Sequence, residues 1–224
     1  TICQYALTPF IACLGAQYPT YALLCMFLLL WISYASGFNI LTQKDRLQRN
    51  GVFKKTDKAI RMAALPWHII KAGLLSILQT ILASMACYAV MFIVISFFQL
   101  PSATIALPFF AFDLHIAVLY GSTHEAAGIC LSIFFAAAWL CCIKIPLSLA
   151  MKYGAGWLVT PRQYFLHHHY SIARLYEVQS TKPSSNARFI IILLLWLIAF
   201  VMSLCNFIFF NTYMQWDPLP RIIT

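Results

Sequence analysis

Charged residues are scarce in this chain, and acidic residues are the scarcest. Only 9% of the 224 residues are Asp, Glu, Lys or Arg, and only 6 are acidic. Soluble domains contain about 25% charged residues. This composition therefore excludes an ordinary soluble fold and requires an apolar surrounding for most of the chain.

Four long stretches contain no charged residue. They are Thr1–Gln43, Ala72–Phe112, Ala126–Ile143 and Phe189–Trp216. A helix needs roughly 20 apolar residues to cross the bilayer core, and each stretch approaches or exceeds that length. Membrane β-barrels instead show alternating segments of about ten residues. The continuous apolar stretches therefore predict an all-α integral membrane protein.

Several motifs that mark catalytic or nucleotide-binding proteins are missing. The sequence has no glycine-rich phosphate loop and no G-x-S-x-G nucleophile elbow. None of the 8 cysteines forms a C-x-x-C pair, and nearly all lie in apolar stretches, where cysteine behaves as a small hydrophobe. A disulfide scaffold and a zinc ribbon are therefore not expected, and an ATP-driven role would need a partner.

The apolar stretches predict one membrane domain, residues 1–224, with about four full transmembrane helices and one or two re-entrant or interfacial segments. The predicted spans are residues 21–41, 72–98, 126–143 and 189–210. Residues 2–16 would reach only about 22 Å as a helix. Because the bilayer core is roughly 30 Å thick, these residues are predicted to be interfacial or re-entrant, and both chain ends are expected on the outer side.

Basic residues are concentrated in two segments. All but one of the 15 Lys and Arg residues lie in residues 44–71 and 144–188. Because loops rich in Lys and Arg stay in the cytoplasm, both segments are predicted to lie there or on the equivalent side of another membrane. Their charge fits contact with anionic lipid headgroups, and nucleic acid is not an expected partner.

Residues 44–71 are also expected to contain a local break. Thr56 can cap a short helix that runs to Leu65, with Asp57 in its first turn. Pro66 is then predicted to end this helix before the second span begins at residue 72.

Residues 101–125, between the second and third spans, are predicted to fold back on the outer side. A full crossing of residues 103–120 would put the two basic segments on opposite faces, against the charge rule. Non-helical, re-entrant backbone is tolerated at membrane depth only where protein or water surrounds it. We therefore expect a re-entrant segment broken at Pro108, while a six-span arrangement stays open.

The same outer segment contains a candidate metal site of Asp113, His115, His124 and Glu125. Carboxylates and imidazoles together suit zinc, iron or copper and also acid–base catalysis. The spacing matches no HExxH motif, and Asp113 and His115 share one side only if the backbone is extended. The competing interpretation is a solvated turn at His124 and Glu125, with Asp113 paired to His115 or to a partner chain.

The second basic segment contains a predicted amphipathic helix. Thr160, Pro161 and Gln163 form a capping box with proline at the first helical position. We expect this helix to lie on the inner membrane surface or to dock against another subunit. The residues predicted to contact lipid or a partner are Arg162, His167, His168, Arg174 and Lys182. Consecutive histidines point about 100° apart on a helix, so a shared metal is not expected there.

The predicted function is that of a non-catalytic, multi-pass subunit of a larger membrane complex, in transport, secretion or scaffolding. The predicted spans contain no Asp, Glu, Lys or Arg, groups that proton relays and pumps normally need. Gln79 and Asn206 suit helix packing instead. The expected partners are other membrane subunits, and no cofactor is assigned. The alternative is a small membrane metalloenzyme or redox subunit that uses the outer Asp/His/Glu site.

Overall fold

The computed structural model describes residues 2–50, 55–109, 112–159, 187–209, 213–216 and 222–223. These residues are mostly helical. The helices are α1 (Ile2–Ala6), α2 (Thr8–Gln17), α3 (Pro19–Asn50), α4 (Lys55–Phe98), α5 (Ala126–Lys144), α6 (Leu149–Val159) and α7 (Ala187–Phe209). The strands are β1 (Ser102–Phe109), β2 (Phe112–Leu119) and β3 (Ile222–Ile223).

Four helices are long and apolar enough to cross a membrane, as predicted. Their candidate spans are Pro19–Thr42, Met62–Phe98, Ala126–Lys144 and Ile190–Phe209. The first, third and fourth begin and end within two residues of the predicted positions. Four such helices identify a multi-pass membrane protein.

The second span differs from the prediction because the chain does not break at Pro66. In place of a short helix and a separate span from residue 72, α4 is one continuous helix. A proline removes one backbone donor and crowds the preceding turn, and membrane helices tolerate this where neighbouring groups satisfy the freed backbone. Pro66 frees the carbonyl of Met62, four residues earlier. A separate contact ties this part of α4 to α3, where Trp31 Nε1 donates a hydrogen bond of 2.9 Å to the Ile69 carbonyl.

Residues 101–125 contain a β-hairpin, so the prediction of an all-α protein is wrong for this segment. β1 and β2 pair antiparallel from Ser102 opposite Leu119 to Phe109 opposite Phe112. β3 pairs with the other edge of β1, and the strand order is β2-β1-β3. The chain folds back as expected, but as paired strands.

Proline is not the point of reversal in this hairpin. Pro108 lies inside β1, opposite Asp113, and the pairing continues beyond it to Phe109 opposite Phe112. The strand form follows from the alternation of apolar and polar residues over residues 112–116, which has the period of two that is typical of a strand. A length-based search for spans passes over this alternation.

Three further predictions concern the ends of the helical segments. Residues 2–17 form α1 and α2, and whether they lie at the membrane interface stays a prediction. α5 ends at Lys144, two residues before Pro146 and one residue beyond the predicted end of the third span. α6 was not predicted, and the capping box at Thr160 lies outside the described residues.

The chain divides into two compact units. Unit 1 comprises Thr1–Gln4, Phe27–Gln79 and Ile145–Trp196, and unit 2 comprises Tyr5–Met26, Thr80–Lys144 and Leu197–Thr224.

In unit 1, α3 and α6 cross at small residues. A Cβ on Gly37 would overlap the backbone of Ala150, and a Cβ on Gly154 would overlap the carbonyl of Ser33. Each helix thus has two small residues four positions apart, which is the spacing that lets membrane helices approach closely.

In unit 2, α5 packs against α2. A Cβ on Gly15 of α2 would overlap the ring of Phe135, which is itself buried. Leu131 and Trp139 of α5 are also buried, together with Ile11 of α2. The absence of a side chain at Gly15 therefore makes room for a bulky residue of the neighbouring helix.

Candidate functional site

A buried polar cluster in unit 1 joins α3, α4 and the segment that follows α5. The hydroxyl of Tyr34 donates a hydrogen bond to Gln79 Oε1, and both side chains are buried. The same hydroxyl accepts a bond of 3.1 Å from the N–H of Leu147, and Gln79 Nε2 donates one of 3.3 Å to the Ile145 carbonyl. These two backbone groups flank Pro146, where the helical hydrogen bonds stop. The cluster therefore satisfies backbone groups at a helix end.

This arrangement agrees with the prediction that Gln79 serves helix packing. The role of Tyr34 was missed, because a tyrosine toward the end of a span is typical of an interfacial aromatic belt. The available signal was Pro146, since a proline after a span leaves backbone groups in need of partners. Tertiary packing decides which side chain forms hydrogen bonds with these backbone groups.

A second contact group in unit 1 surrounds His68. Its Nε2 lies 3.1 Å from Thr42 Oγ1, and its ring stacks on Phe38 with the ring centroids 6.1 Å apart. Lys71 Nζ lies 4.8 Å from the centroid of the Phe38 ring, within the range of a cation–π contact. These contacts fix the imidazole between α3 and α4.

In unit 2, residues 213–216 are held by hydrogen bonds to three other segments. The N–H of Met214 donates to the Gly121 carbonyl over 3.1 Å, and the N–H of Gln215 donates to the Gln17 carbonyl over 2.9 Å. This short segment thus joins the end of the hairpin to the end of α2.

Trp216 completes this junction from the inside. Its Nε1 donates a hydrogen bond of 3.1 Å to the Leu119 carbonyl, and its own carbonyl accepts one of 3.0 Å from Thr20 Oγ1. Aromatic residues just beyond a span, such as Tyr213 and Trp216, are typical of an interfacial aromatic belt. Tyr213 is exposed, but Trp216 is buried, so it packs within the protein.

Two of the predicted metal-site residues lie in the hairpin. Asp113 and His115 occupy alternate positions of β2, and their side chains are outside what the structure describes. A strand rises about 3.3 Å per residue, so Asp113 lies about 20 Å before the end of β2 at Leu119.

The other two predicted ligands follow the hairpin. His124 and Glu125 are exposed in the turn before α5. His124 Nε2 forms a hydrogen bond with the Phe207 carbonyl, and the two rings meet edge to face at 5.7 Å. Among the side chains that the structure describes, no group of three or more His, Cys, Asp and Glu could hold one metal ion. Because two of the four side chains are not among them, the metal site stays a prediction.

Five residues were predicted to contact lipid or a partner. All five lie outside the described residues: Arg162, His167, His168, Arg174 and Lys182.

Unit 2 contains a cavity of about 310 Å³. This volume is at the lower end of the range of ligand pockets, about 300–1,000 Å³. Its walls come from α3, α4, α5 and β2, closed by Trp216. Among the lining residues that the structure describes, Ser84, Cys87 and Tyr88 carry a hydroxyl or thiol group, and none carries a charge. Sequence reasoning missed the cavity because its residues are distant in the chain and form no motif.

No protein-family model, curated protein or solved structure matches this chain. Its function is therefore inferred from its own residues and their geometry.

Proposed function

We propose that this chain is a non-catalytic, multi-pass subunit of a larger membrane complex, with a role in transport, secretion or scaffolding. The observation that carries this proposal is the surface of α7. None of the residues in its span, Ile190–Phe209, is buried within the chain, whereas 44% of the α5 span is buried.

Large apolar side chains cover most of the circumference of α7. Leu195, Ile198 and Met202 are exposed over more than half of their surface. The partly covered positions include Ile192, Trp196 and Phe200, and their spacing of four places them in one narrow stripe. The remaining faces of α7 are available to another membrane subunit.

Polar contacts hold α7 near its C-terminal end. Asn206 Nδ2 donates a hydrogen bond of 3.0 Å to Gln17 Oε1, and the Phe207 carbonyl binds His124. Polar side chains within membrane helices commonly form hydrogen bonds that join one helix to another. The contact secures the helix to its own chain while leaving most of its length for packing between subunits.

The hairpin supports a proposal about orientation. Two crossings, α4 and α5, separate the basic segments 44–71 and 144–188, because the hairpin replaces a third crossing. Both segments then lie on the cytoplasmic or equivalent side, where anionic lipid headgroups are further partners.

The first test is isolation of the protein from its own membrane in mild detergent, with mass spectrometry of all chains and metal and haem analysis of the same sample. We expect fixed ratios of partner chains. A protein that is monodisperse without partners would contradict the proposal. About one metal or haem per chain, lost in His115→Ala or His124→Ala, would favour the metalloenzyme or redox alternative.

A second test locates the partner surface. A photoreactive amino acid at position 202, where Met202 is 67% exposed, should crosslink to the same partner chain found in the isolated complex. The matched control is position 26, because Met26 is fully buried. Crosslinks from position 202 to lipid alone would assign this face of α7 to the bilayer and contradict its role in assembly.

A further inference from the structure

The cavity of unit 2 lies within the apolar spans. Leu23 of α3, Met91 of α4 and Leu131 of α5 line it, and all three belong to candidate membrane spans. Met91 and Leu131 are buried, so they form its inner wall. The solvent nearest to this cavity is therefore lipid.

Met85 connects the cavity to the lipid-facing surface. Its side chain lines the cavity and is also 64% exposed. Ile81 and Leu82, on the preceding turn of α4, are exposed as well. Met85 lies about 20 Å along the helix from its end at Phe98, so the rim is well inside the span. The apolar surface thus continues from the outside of α4 into the cavity.

One wall of the cavity is formed by β2 and Trp216. Val118 of β2 and Trp216 both line it and are both buried. The indole N–H of Trp216 is already donated to the Leu119 carbonyl. The described part of this wall therefore presents apolar surface.

We propose that this cavity binds one acyl chain of a membrane lipid, which enters sideways past Met85. The uncharged wall fits an uncharged chain, and the bilayer supplies acyl chains at very high local concentration. Cavities lined by apolar side chains exclude water. The unbranched thioethers of Met85 and Met91 adapt to irregular shapes, as a flexible chain requires. The lipid headgroup stays outside, and the inference does not depend on the proposed subunit function.

The test uses the full chain in phosphatidylcholine vesicles that contain a small fraction of phosphatidylcholine with a diazirine at the end of one acyl chain. After irradiation, mass spectrometry of peptides locates the adducts. We expect adducts at Met91 or Leu131, which a lipid reaches only from inside the cavity. Ile95 is the matched control, because it is as buried as Met91 on the same helix but does not line the cavity.

A variant that fills the cavity adds a second criterion. Ser84→Leu places extra carbon atoms in the cavity and removes a buried hydroxyl that has no hydrogen-bond partner among the described residues. Adducts at Met91 and Leu131 should fall at least about fourfold, the factor that corresponds to one displaced methylene. Ser96→Leu is the control, since Ser96 is exposed on the same helix away from the cavity.

Several results would overturn the proposal. The first is labelling of the exposed Ile93 without labelling of Met91 or Leu131. This result needs only the unmodified protein. The second is labelling of Met91 and Leu131 that stays the same in the Ser84→Leu variant, while Ile93 is also labelled as before. A sterol or quinone that co-purifies and prevents the labelling would show a different occupant and equally reject an acyl chain.

Discussion

α5 and α7 have similar sequence properties as membrane spans but differ in how they pack. Their spans have 19 and 20 residues and mean hydropathies of 2.3 and 2.7, yet 44% of the α5 span and none of the α7 span is buried. α5 contains Gly128 and the small residues 136–138, whereas α7 is dominated by Ile, Leu and Phe. Lipid tails are as apolar as leucine, so close packing in a membrane depends on small residues and polar contacts. Hydropathy shows that a helix enters the bilayer and leaves open what covers it.

Thiol labelling should show the largest difference between the two helices. Cys205 of α7 is exposed and Cys142 of α5 is buried. In variants that retain one cysteine each, a membrane-permeant maleimide should modify Cys205 much faster, because Cys142 reacts only after local opening. Mass spectrometry measures the two modification rates. Equal rates in the folded protein would contradict the difference in packing between the two helices. As a control, the two cysteines should react at equal rates after denaturation.

Gly128→Ala should destabilise the protein strongly. Its Cβ would overlap the backbone carbonyl of Thr123, which is held in the turn where the Glu125 N–H donates to the Ser122 carbonyl over 3.1 Å. Overpacking against backbone should lower the free energy of unfolding by about 3 kcal/mol, measured by titration with denaturing detergent.

The matched control for this change is Gly73→Ala on α4. The nearest atom to its Cβ is Trp31 Nε1 at 3.5 Å, an ordinary contact. Alanine there should raise the free energy of unfolding by up to about 1 kcal/mol, because it favours the helix. Similar losses at both glycines would show that close approach is not what distinguishes Gly128.

Truncation of one leucine on each helix should give a smaller difference. Leu131 of α5 is buried, and Leu195 of α7 is 62% exposed. Leu131→Ala should lower the free energy of unfolding by about 2 kcal/mol, the lower end for buried leucines, because a cavity already adjoins the site. Leu195→Ala should change it by less than about 0.5 kcal/mol. A large loss at Leu195 in the isolated chain would contradict the exposed surface of α7.

Removal of the polar contact of α7 should have the smallest effect. Asn206→Leu breaks the bond to Gln17 and should cost about 0.6 kcal/mol, typical of hydrogen bonds between membrane helices. A double-mutant cycle with Gln17→Leu measures the coupling directly. A coupling near zero would mean that the narrow apolar stripe alone holds α7.

Much of the helical framework could be predicted because it depends on local composition. The positions of three spans and the end of α5 before Pro146 follow from apolar length and backbone chemistry. The break at Pro66 was a wrong prediction, since α4 continues through this proline as one helix. The hairpin was missed as strands because residues 103–120 were judged by length and charge.

The candidate sites were less predictable than the spans. Asp113 and His115 lie on β2, and His124 and Glu125 lie in the turn before α5, so the metal site needs two segments to meet and stays a prediction. The cavity brings Leu23, Met91 and Trp216 together from distant parts of the chain, and no sequence pattern links them. Both outcomes depend on which elements pair, which is a long-range property.

The amino-acid sequence by itself determined that this protein is multi-pass and where three of its four candidate spans lie, because transfer of apolar residues into lipid is a local free energy that is summed along each segment. Tertiary structure alone decided that Tyr34 contacts the backbone beside Pro146, that Trp216 turns inward, and that no residue of the α7 span is buried. These features depend on shape and hydrogen-bond partners contributed by remote segments, and hydropathy contains neither.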